Sequence, residues 1–235
     1  MQKSIHIHSS KIINAYNALV FGIEGLVVTT LSSPDIIYPK TRVEALKTVL
    51  PMVESFMSDI VKNTIATVTE EAARDVFGEL SVPIPANVTY AAHQKNVEVT
   101  YNLAGSVGNV MRNLYMSTES VLKRGAIERV SGVSISSIDT KIEKSIKDKI
   151  NRSRSVVSFM ETSVKKHIVD AYLNAYTTIA SEMGHDIILL DYASPEHRND
   201  GLKLSISGYS SFPTVESMRK EVFHPNTQVE IGIFK

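Results

Sequence analysis

The sequence predicts an α+β protein with a mainly helical body and a small antiparallel β unit at the C-terminus. Apolar residues recur at helical spacing through most of the chain as far as Met183. Three short strand-like runs follow, at 186–192, 202–206 and 229–234. Because the helical pattern precedes the strands and does not alternate with them, the order of elements favours α+β over α/β.

The composition is that of a globular protein that buries a full core. The chain has 235 residues, of which 43% are hydrophobic and 21% are charged. Lys and Arg together number 25, as do Asp and Glu, so the net charge near zero argues against nucleic acid as the main partner. The sequence has no cysteine, which excludes disulfides, thiolate metal ligands and a cysteine nucleophile.

The most apolar run of the chain lies at residues 18–31. It contains Glu24 and two glycines and is shorter than the roughly 20 apolar residues that a membrane-spanning helix needs. We therefore expect this run to be buried in the protein, with no stretch long enough to cross a bilayer and no membrane contact. The first residues lack the apolar core and cleavage site of a secretory signal, so we expect no such signal.

The N-terminal region is predicted to combine a short arm with helices. Residues 3–8 alternate Ile5 and Ile7 with polar neighbours, which favours a short edge strand or an arm that adds a strand to a neighbouring sheet. Thr41 and Glu44 match a capping box, which predicts that a helix begins there.

Proline and glycine set the other boundaries predicted for this region. We expect Pro51 to kink the helix that Thr41 caps, or to begin a new helix. Gly78 is expected to end the helical run.

Three segments follow from these patterns. They are an N-terminal arm and helical region at 1–80, a middle helical region at 81–137, and a long helix with a C-terminal β-rich module at 138–235. The first boundary rests on the proline-rich linker 81–85, which is held extended.

The longest helical pattern lies in the third segment. Thr140 and Glu143 match a second capping box, and a stripe of isoleucines follows it. After the polar patch 151–155 the stripe resumes and runs to Met183, with Gly184 placed just after the C-cap. A polar loop is expected between the second and third strands.

Four side chains near the C-terminus could converge on a divalent metal, because imidazole and carboxylate groups suit zinc or iron. They are His185, Asp191, His197 and His224. No pair has the i,i+4 spacing of a helical metal site, so hydrogen bonding to loops and strand ends is the favoured interpretation. We expect His197 and His224 to be structural, and predict no metal and no cofactor.

The turn at 195–201 raises the question of catalysis. Glu196 beside His197 could form an acid–base pair, but such a pair more often anchors a turn, and Asp200-Gly201 suits a tight connection between strands. The sequence has no G-x-S-x-G, no phosphate-binding glycine loop and no H-E-x-x-H. We therefore predict that the protein is not an enzyme.

The long helix is locally basic, with interleaved acidic residues. Such a pattern is typical of a solvated helix face, and contact with DNA phosphates or an acidic protein ring is a second interpretation. The basic residues are Lys144, Lys147, Lys149, Arg152, Arg154, Lys165 and Lys166.

The last third of the chain resembles the C-terminal region of the phage minor head proteins, the family named after the F protein of phage Mu. In that family a long helix leads into a strand and a motif with an aspartate, a turn, a histidine and a glycine. A loop follows and ends in His-Pro-Asn-Cys-Arg. The matching residues are Asp191, His197 and Gly201 in the first motif and His224, Pro225 and Asn226 in the second.

Two positions depart from the family pattern. Thr227 stands where the family usually has cysteine, and Gln228 where it has arginine. Loss of the cysteine fits a structural role for this region.

The resemblance implies a structural protein of a tailed-phage virion, assembled in the host cytoplasm and bound at or near the portal. It implies a role in head assembly, head–tail connection or DNA delivery. The implied partners are portal, capsid or neck proteins, with several copies in a ring and peripheral contact with packaged DNA. One alternative is a small α+β enzyme or metal-binding domain that uses Asp191, His197 and His224. Another is an adaptor that caps a ring and buries residues 18–31 only in the assembly.

Overall fold

The protein has the predicted fold class, a mainly helical α+β architecture with a three-stranded antiparallel sheet near the C-terminus. The computed structural model describes residues 1–132, 155–194 and 196–234. The second capping box, Thr140 and Glu143, lies outside the described residues. The helices are α1 (Gln2–Ser32), α2 (Pro39–Ser55), α3 (Asn63–Leu80), α4 (Ala86–Lys95), α5 (Val97–Val130), α6 (Val156–Glu182) and α7 (Val215–Val222). The strands are β1 (Ile187–Tyr192), β2 (Lys203–Ser205) and β3 (Val229–Ile233).

The sheet has the strand order β2-β1-β3, and both pairings are antiparallel. Ile188 lies opposite Leu204 on one side and Ile233 on the other, and Leu190 lies opposite Ile231. All five side chains are at most 8% exposed, so they form the buried face that period-two alternation requires. The three predicted strands are confirmed, with no end shifted by more than one residue.

The predicted N-terminal strand is wrong, because residues 3–8 form the first turns of α1. Ile5 is 6% exposed, and burial continues at helical spacing through Ile12 and Tyr16. Ile7, which strand alternation would place beside Ile5, is 47% exposed. A run of six residues fits either period, and the apolar residues beyond it decide for the helix.

Helix α1 is also long and apolar enough to cross a membrane by length and composition, contrary to the expectation for this chain. Glycines, alanines and threonines interrupt its apolar run, yet an 18-residue window of the helix still has a mean hydropathy of 1.5. About a third of that window, 33%, is buried. The predicted burial of residues 18–31 holds for one face only, because Phe21 is 79% and Val28 is 49% exposed on the other.

Helix α2 begins at Pro39 and not at a capping box. Tyr38 occupies the N-cap position, and the first turn suits Pro39 because a proline there lacks only an N–H that would be unpaired anyway. Thr41 therefore lies inside the first turn. Pro51 also lies within α2, so no helix begins there, and a π-helical segment, Phe56–Lys62, follows the end of α2.

Helix α3 ends at Leu80, so the predicted end at Gly78 is wrong. Ser81 takes the left-handed conformation, with φ of 57°, and its N–H donates to the carbonyl of Phe77 at 2.7 Å. Ser81 thus takes the role that glycine usually has after a helix. The predicted break at 81–85 is confirmed, since α4 begins at Ala86.

The end of α6 is as predicted. Gly184 has a φ of 86° and donates to the carbonyl of Ser181, while His185 donates to the carbonyl of Ala180. These two bonds form a Schellman motif with Gly184 at the first position after the C-cap. The motif turns the chain directly into β1.

The predicted polar loop between the second and third strands contains helix α7. Thr214 caps it by accepting a hydrogen bond from the N–H of Ser217 at 3.0 Å. Val215 and Val222, seven residues apart, are buried on one face. The sequence signal for this helix is a threonine followed by apolar residues at helical spacing, in a segment that is otherwise polar.

The described chain groups into two compact units that are discontinuous in sequence. One contains Met1–Ser10, Lys62–Leu103 and Thr162–Lys235, and the other contains Lys11–Val61 and Ala104–Glu161. In the second unit, a Cβ built on Gly22 would lie 3.0 Å from the terminal carbon of Met52, so a small residue is needed where α1 and α2 pack. The three predicted segments divide the sequence differently and stay a prediction.

Candidate functional site

The first family-like motif is a closed turn that leaves β1. The N–H of Tyr192 donates to Oδ1 of Asp200, and the N–H of Gly201 donates to the carbonyl of Leu190, both at 2.9 Å. Gly201 has a φ of 70°, a conformation that favours glycine. The Asp200-Gly201 pair therefore holds the turn as its sequence predicts, while Pro195 lies outside the described residues.

The His197 ring is fixed against the sheet. It stacks on Tyr192 with ring centroids 3.7 Å apart and planes 9° apart. Its Nδ1 accepts a hydrogen bond from the N–H of Asn199 at 3.2 Å. An accepting Nδ1 leaves Nε2 as the protonated nitrogen of the neutral ring.

The second family-like motif forms another tight turn, just before β3. Nδ1 of His224 accepts from the N–H of Asn226 at 3.3 Å, and the N–H of Thr227 donates to the carbonyl of His224 at 2.9 Å. Thr227, at the family cysteine position, is buried at 9% exposure. Its side chain thus serves packing in a turn.

The two motifs meet at one groove, although 27 positions separate their histidines. The groove has a volume of about 270 Å³. Arg198 and Glu221 form an ion pair at 2.5 Å beside it, tying the first turn to α7. The residues lining the groove include Tyr192, His197, Asn199, His224, Asn226 and Gln228. We call this site the motif groove.

Asp191 belongs to the opposite side of the strand. It alternates with Tyr192, is exposed, and lies opposite Glu230 in the register of β1 and β3. Asp191 and Gly201 do not line the motif groove, and neither does His185. The structure therefore brings together only His197 and His224 from the predicted set of potential metal ligands.

The exposure of the two histidines limits their contribution to the free energy of unfolding. Both His197 and His224 are exposed, so replacing either leaves no buried group unpaired. Substitution of either histidine by Ala should therefore change the free energy of unfolding by no more than about 0.5 kcal/mol. Within the part of the chain that the structure describes, no three His, Cys, Asp or Glu side chains form a potential metal site.

The strongest polar cluster was not found from the sequence. It is a row of carboxylates on α3, formed by Glu71, Asp75 and Glu79 at i, i+4 and i+8. We call it the α3 carboxylate row. Its acidic spacing on one face of an amphipathic helix was the available signal.

The carboxylates of the row bind side chains and backbone of three elements, α1, α6 and β3. Glu71 accepts from the Ser4 hydroxyl at 2.6 Å and lies 3.0 Å from Nε2 of His8. Asp75 accepts from the hydroxyl of Tyr172. Burial of Glu71 alone would raise its pKa, but these hydrogen bonds and the charges of His8 and Arg74 outweigh it and lower the pKa.

Glu79 completes the row at the edge of the sheet. Its Oε1 accepts from the hydroxyl of Tyr176 at 2.6 Å, and its Oε2 accepts from the N–H of Ile233 at 2.7 Å. Burial, followed by the hydrogen bonds to Glu79 and Asp75, raises the pKa of Tyr176 and Tyr172. Both tyrosines are therefore neutral donors, and the row is structural.

Comparison with known proteins adds no relative to this description. No family model matches the chain, and neither a curated protein nor a solved structure shows significant similarity to it.

Proposed function

We propose that the chain is a structural minor head protein of a tailed-phage virion, bound at or near the portal in several copies. It acts in head assembly, head–tail connection or DNA delivery. One observation carries the proposal: the two family-like motifs, distant in sequence, form adjoining turns around one groove.

The order of elements supports the same proposal. Helix α6 leads through the Schellman turn into β1, the first motif follows the strand, and the second motif precedes β3. This is the order that the resemblance implies for the family's C-terminal region. Thr227, which stands where the family usually has cysteine, is buried at 9% exposure, and this burial supports a packing role for that position.

The enzyme or metal-binding alternative has less support. It requires Asp191, His197 and His224 to act together, and Asp191 lies outside the motif groove. The imidazole Nδ1 atoms accept backbone hydrogen bonds in turns, which is a geometry typical of structural histidines.

The proposal is tested in the source phage or prophage. We expect mass spectrometry of gradient-purified virions to detect the protein in fewer copies than the major capsid protein. Disruption of its gene should stop the production of infectious particles, and complementation should restore it. We also expect the neighbouring genes to encode portal and terminase proteins.

Absence of the protein from purified virions, together with normal particle yield after disruption, would contradict the proposal. A motif variant refines the test. His224→Ala and Asn226→Ala, in a protein that still folds, should lower incorporation into particles if the motif groove contacts a partner. Exposed Asn109→Ala on α5 is the matched control.

A further inference from the structure

A second and larger groove lies in the unit that contains the sheet. Its volume is about 680 Å³, within the range of sites that bind small molecules or short peptides. It runs between the α4–α5 junction, the middle of α6, and α7 with the turn that follows. We call it the lysine groove, because Lys95, Lys166 and Lys220 stand on three of these elements.

These three lysines supply the groove with positive charge that is open to a ligand. Each is exposed, and no ion pair of these three lysines is seen among residues 1–132, 155–194 and 196–234. Exposed ammonium groups that converge on a concavity favour an anionic ligand, since such a ligand neutralises them together.

The acidic residues of the groove are largely occupied. Arg219 donates to Oδ1 of Asp170 and to Oε2 of Glu216, both at 2.8 Å, and to Oδ1 of Asn174 at 2.9 Å. Its guanidinium therefore partly neutralises two of the three carboxylates that line the groove. Glu98 remains as the third.

The groove also has an apolar lining. Val99, Phe223 and Pro225 line it together with the charged residues. A ligand that fills the groove therefore needs apolar groups beside its negative charges. An acidic peptide with apolar side chains meets both requirements, whereas a nucleic-acid backbone offers phosphates without aliphatic side chains.

We propose that the lysine groove binds an acidic, partly apolar peptide segment of a partner protein. Lys95, Lys166 and Lys220 hold its carboxylates, and Val99, Phe223 and Pro225 receive its apolar side chains. The inference rests on the three lysines, which do not line the motif groove although His224 lines both grooves. It can therefore fail or succeed while the virion assignment stands.

The test uses purified full-length protein and fluorescently labelled octapeptides that alternate Glu with Leu, Phe or Ser, measured by fluorescence anisotropy. We expect the Glu-Leu or Glu-Phe peptide to bind and the Glu-Ser peptide to bind more weakly. Binding should weaken strongly in about 1 M NaCl, where the Debye length falls to about 3 Å.

The combined variant Lys95→Glu, Lys166→Glu and Lys220→Glu should weaken peptide binding about ten- to a hundredfold, as expected for the loss of three exposed ion pairs. The matched control replaces Lys11, Lys40 and Lys62, exposed lysines outside the groove, by Glu with the same change in net charge. If the Glu variant does not fold, the corresponding Gln variant removes the charges without reversing them.

Three outcomes would overturn the inference. One is that none of the peptides binds. Another is that the control variant weakens binding as much as the groove variant. The last is that a labelled duplex DNA of 12 base pairs, about one turn long, binds more tightly than the peptides and depends on the same three lysines.

Discussion

Asn96 is a buried polar residue that joins α3 and α6 to the α4–α5 junction. It is 2% exposed at the α4–α5 junction, and its Nδ2 donates to Oγ1 of Thr69 at 2.9 Å and to the carbonyl of Ala171 at 2.8 Å. Its own carbonyl accepts from the N–H of Thr100 at the start of α5. One side chain thus joins α3 and α6 to the junction.

Replacing Asn96 by Ala should lower the free energy of unfolding by about 1–3 kcal/mol, because two buried acceptors lose a donor that water cannot replace. Urea denaturation followed by circular dichroism measures the change. The exposed Asn109→Ala should alter the free energy of unfolding by less than about 0.5 kcal/mol. Equal effects of the two substitutions would show that Asn96 does not join the helices.

Asp186 organises the loop after β2. Its Oδ1 accepts from the N–H of Ser207 at 2.7 Å and its Oδ2 from the hydroxyl of Ser205 at 2.9 Å. Burial alone would raise the pKa of Asp186, but the hydrogen bonds from Ser207 and Ser205 outweigh it and lower the pKa.

Because the pKa of Asp186 is lower in the folded state than in the unfolded state, its ionised carboxylate stabilises the fold. This contribution is fully present above the unfolded-state pKa of about 3.9, and it is lost as the pH falls through the folded-state pKa. Asp186→Asn should therefore reduce the melting temperature at pH 7, with the difference from the wild type shrinking below about pH 4. Thermal denaturation between acidic and neutral pH measures this. A difference that stays constant with pH would contradict the role of the ionised carboxylate.

At the scale of elements, the α3 carboxylate row links α3 to α1, α6 and β3. Glu79 also accepts from the N–H of Ile233 at the outer edge of β3, and an edge strand with free N–H groups is prone to pair with other chains. The row therefore combines packing of helices with protection of a sheet edge.

Tyr176→Phe removes the hydroxyl that Oε1 of Glu79 accepts from and leaves a part-buried carboxylate with one donor fewer. We expect a loss of about 1–3 kcal/mol in the free energy of unfolding, measured by urea denaturation. Tyr101→Phe is the matched control, since Tyr101 is 73% exposed and should change little. An unchanged free energy of unfolding in Tyr176→Phe would show that the hydrogen bond to Glu79 adds no net stability.

Substitutions of two isoleucines at the start of α1 test whether this segment is a helix or a strand. Ile5→Ala should cost about 2–5 kcal/mol, because the side chain is 6% exposed, whereas Ile7→Ala should cost little because Ile7 is 47% exposed. Melting temperatures of the two variants test this. Similar losses at both positions would favour an alternating strand over the helix.

At the scale of the whole molecule, the beginning and end of the described chain belong to the same compact unit. The N–H of Gln2 donates to Oε1 of Glu230 in β3 at 3.0 Å, and Ser4 and His8 contact Glu71 on α3. Residues 1–10 are therefore part of a folded unit, and the arm that the sequence predicts is corrected.

Deletion of residues 2–9 should lower the melting temperature, because it removes the buried Ile5 and leaves Glu71 without Ser4 and His8. Differential scanning calorimetry measures the change, and Ile7→Ala serves as the control for an intact segment. Unchanged melting would restore the interpretation of an independent arm. A failure to enter particles would count as loss of an interface only if stability were preserved.

The sequence by itself determined the elements whose signals are local. The strands at the C-terminal end, Gly184 after α6 and the Asp200-Gly201 turn follow from alternation and from the backbone conformations that glycine allows. The two family-like motifs could likewise be identified from short residue patterns. These features depend on residues that are neighbours in the chain, so the sequence alone contains the information that determines them.

Only the tertiary structure decided the features that depend on distant partners. Ile5 and Ile7 fit a strand until burial selects one of them, and Ser81 in place of Gly78 ends α3. His197 and His224 line the same groove although they are 27 positions apart. Glu79 accepts a hydrogen bond from Tyr176, which lies 97 positions further along the chain. A local pattern cannot contain such pairs, because the free energy that selects them comes from burial and hydrogen bonding between elements that folding brings together.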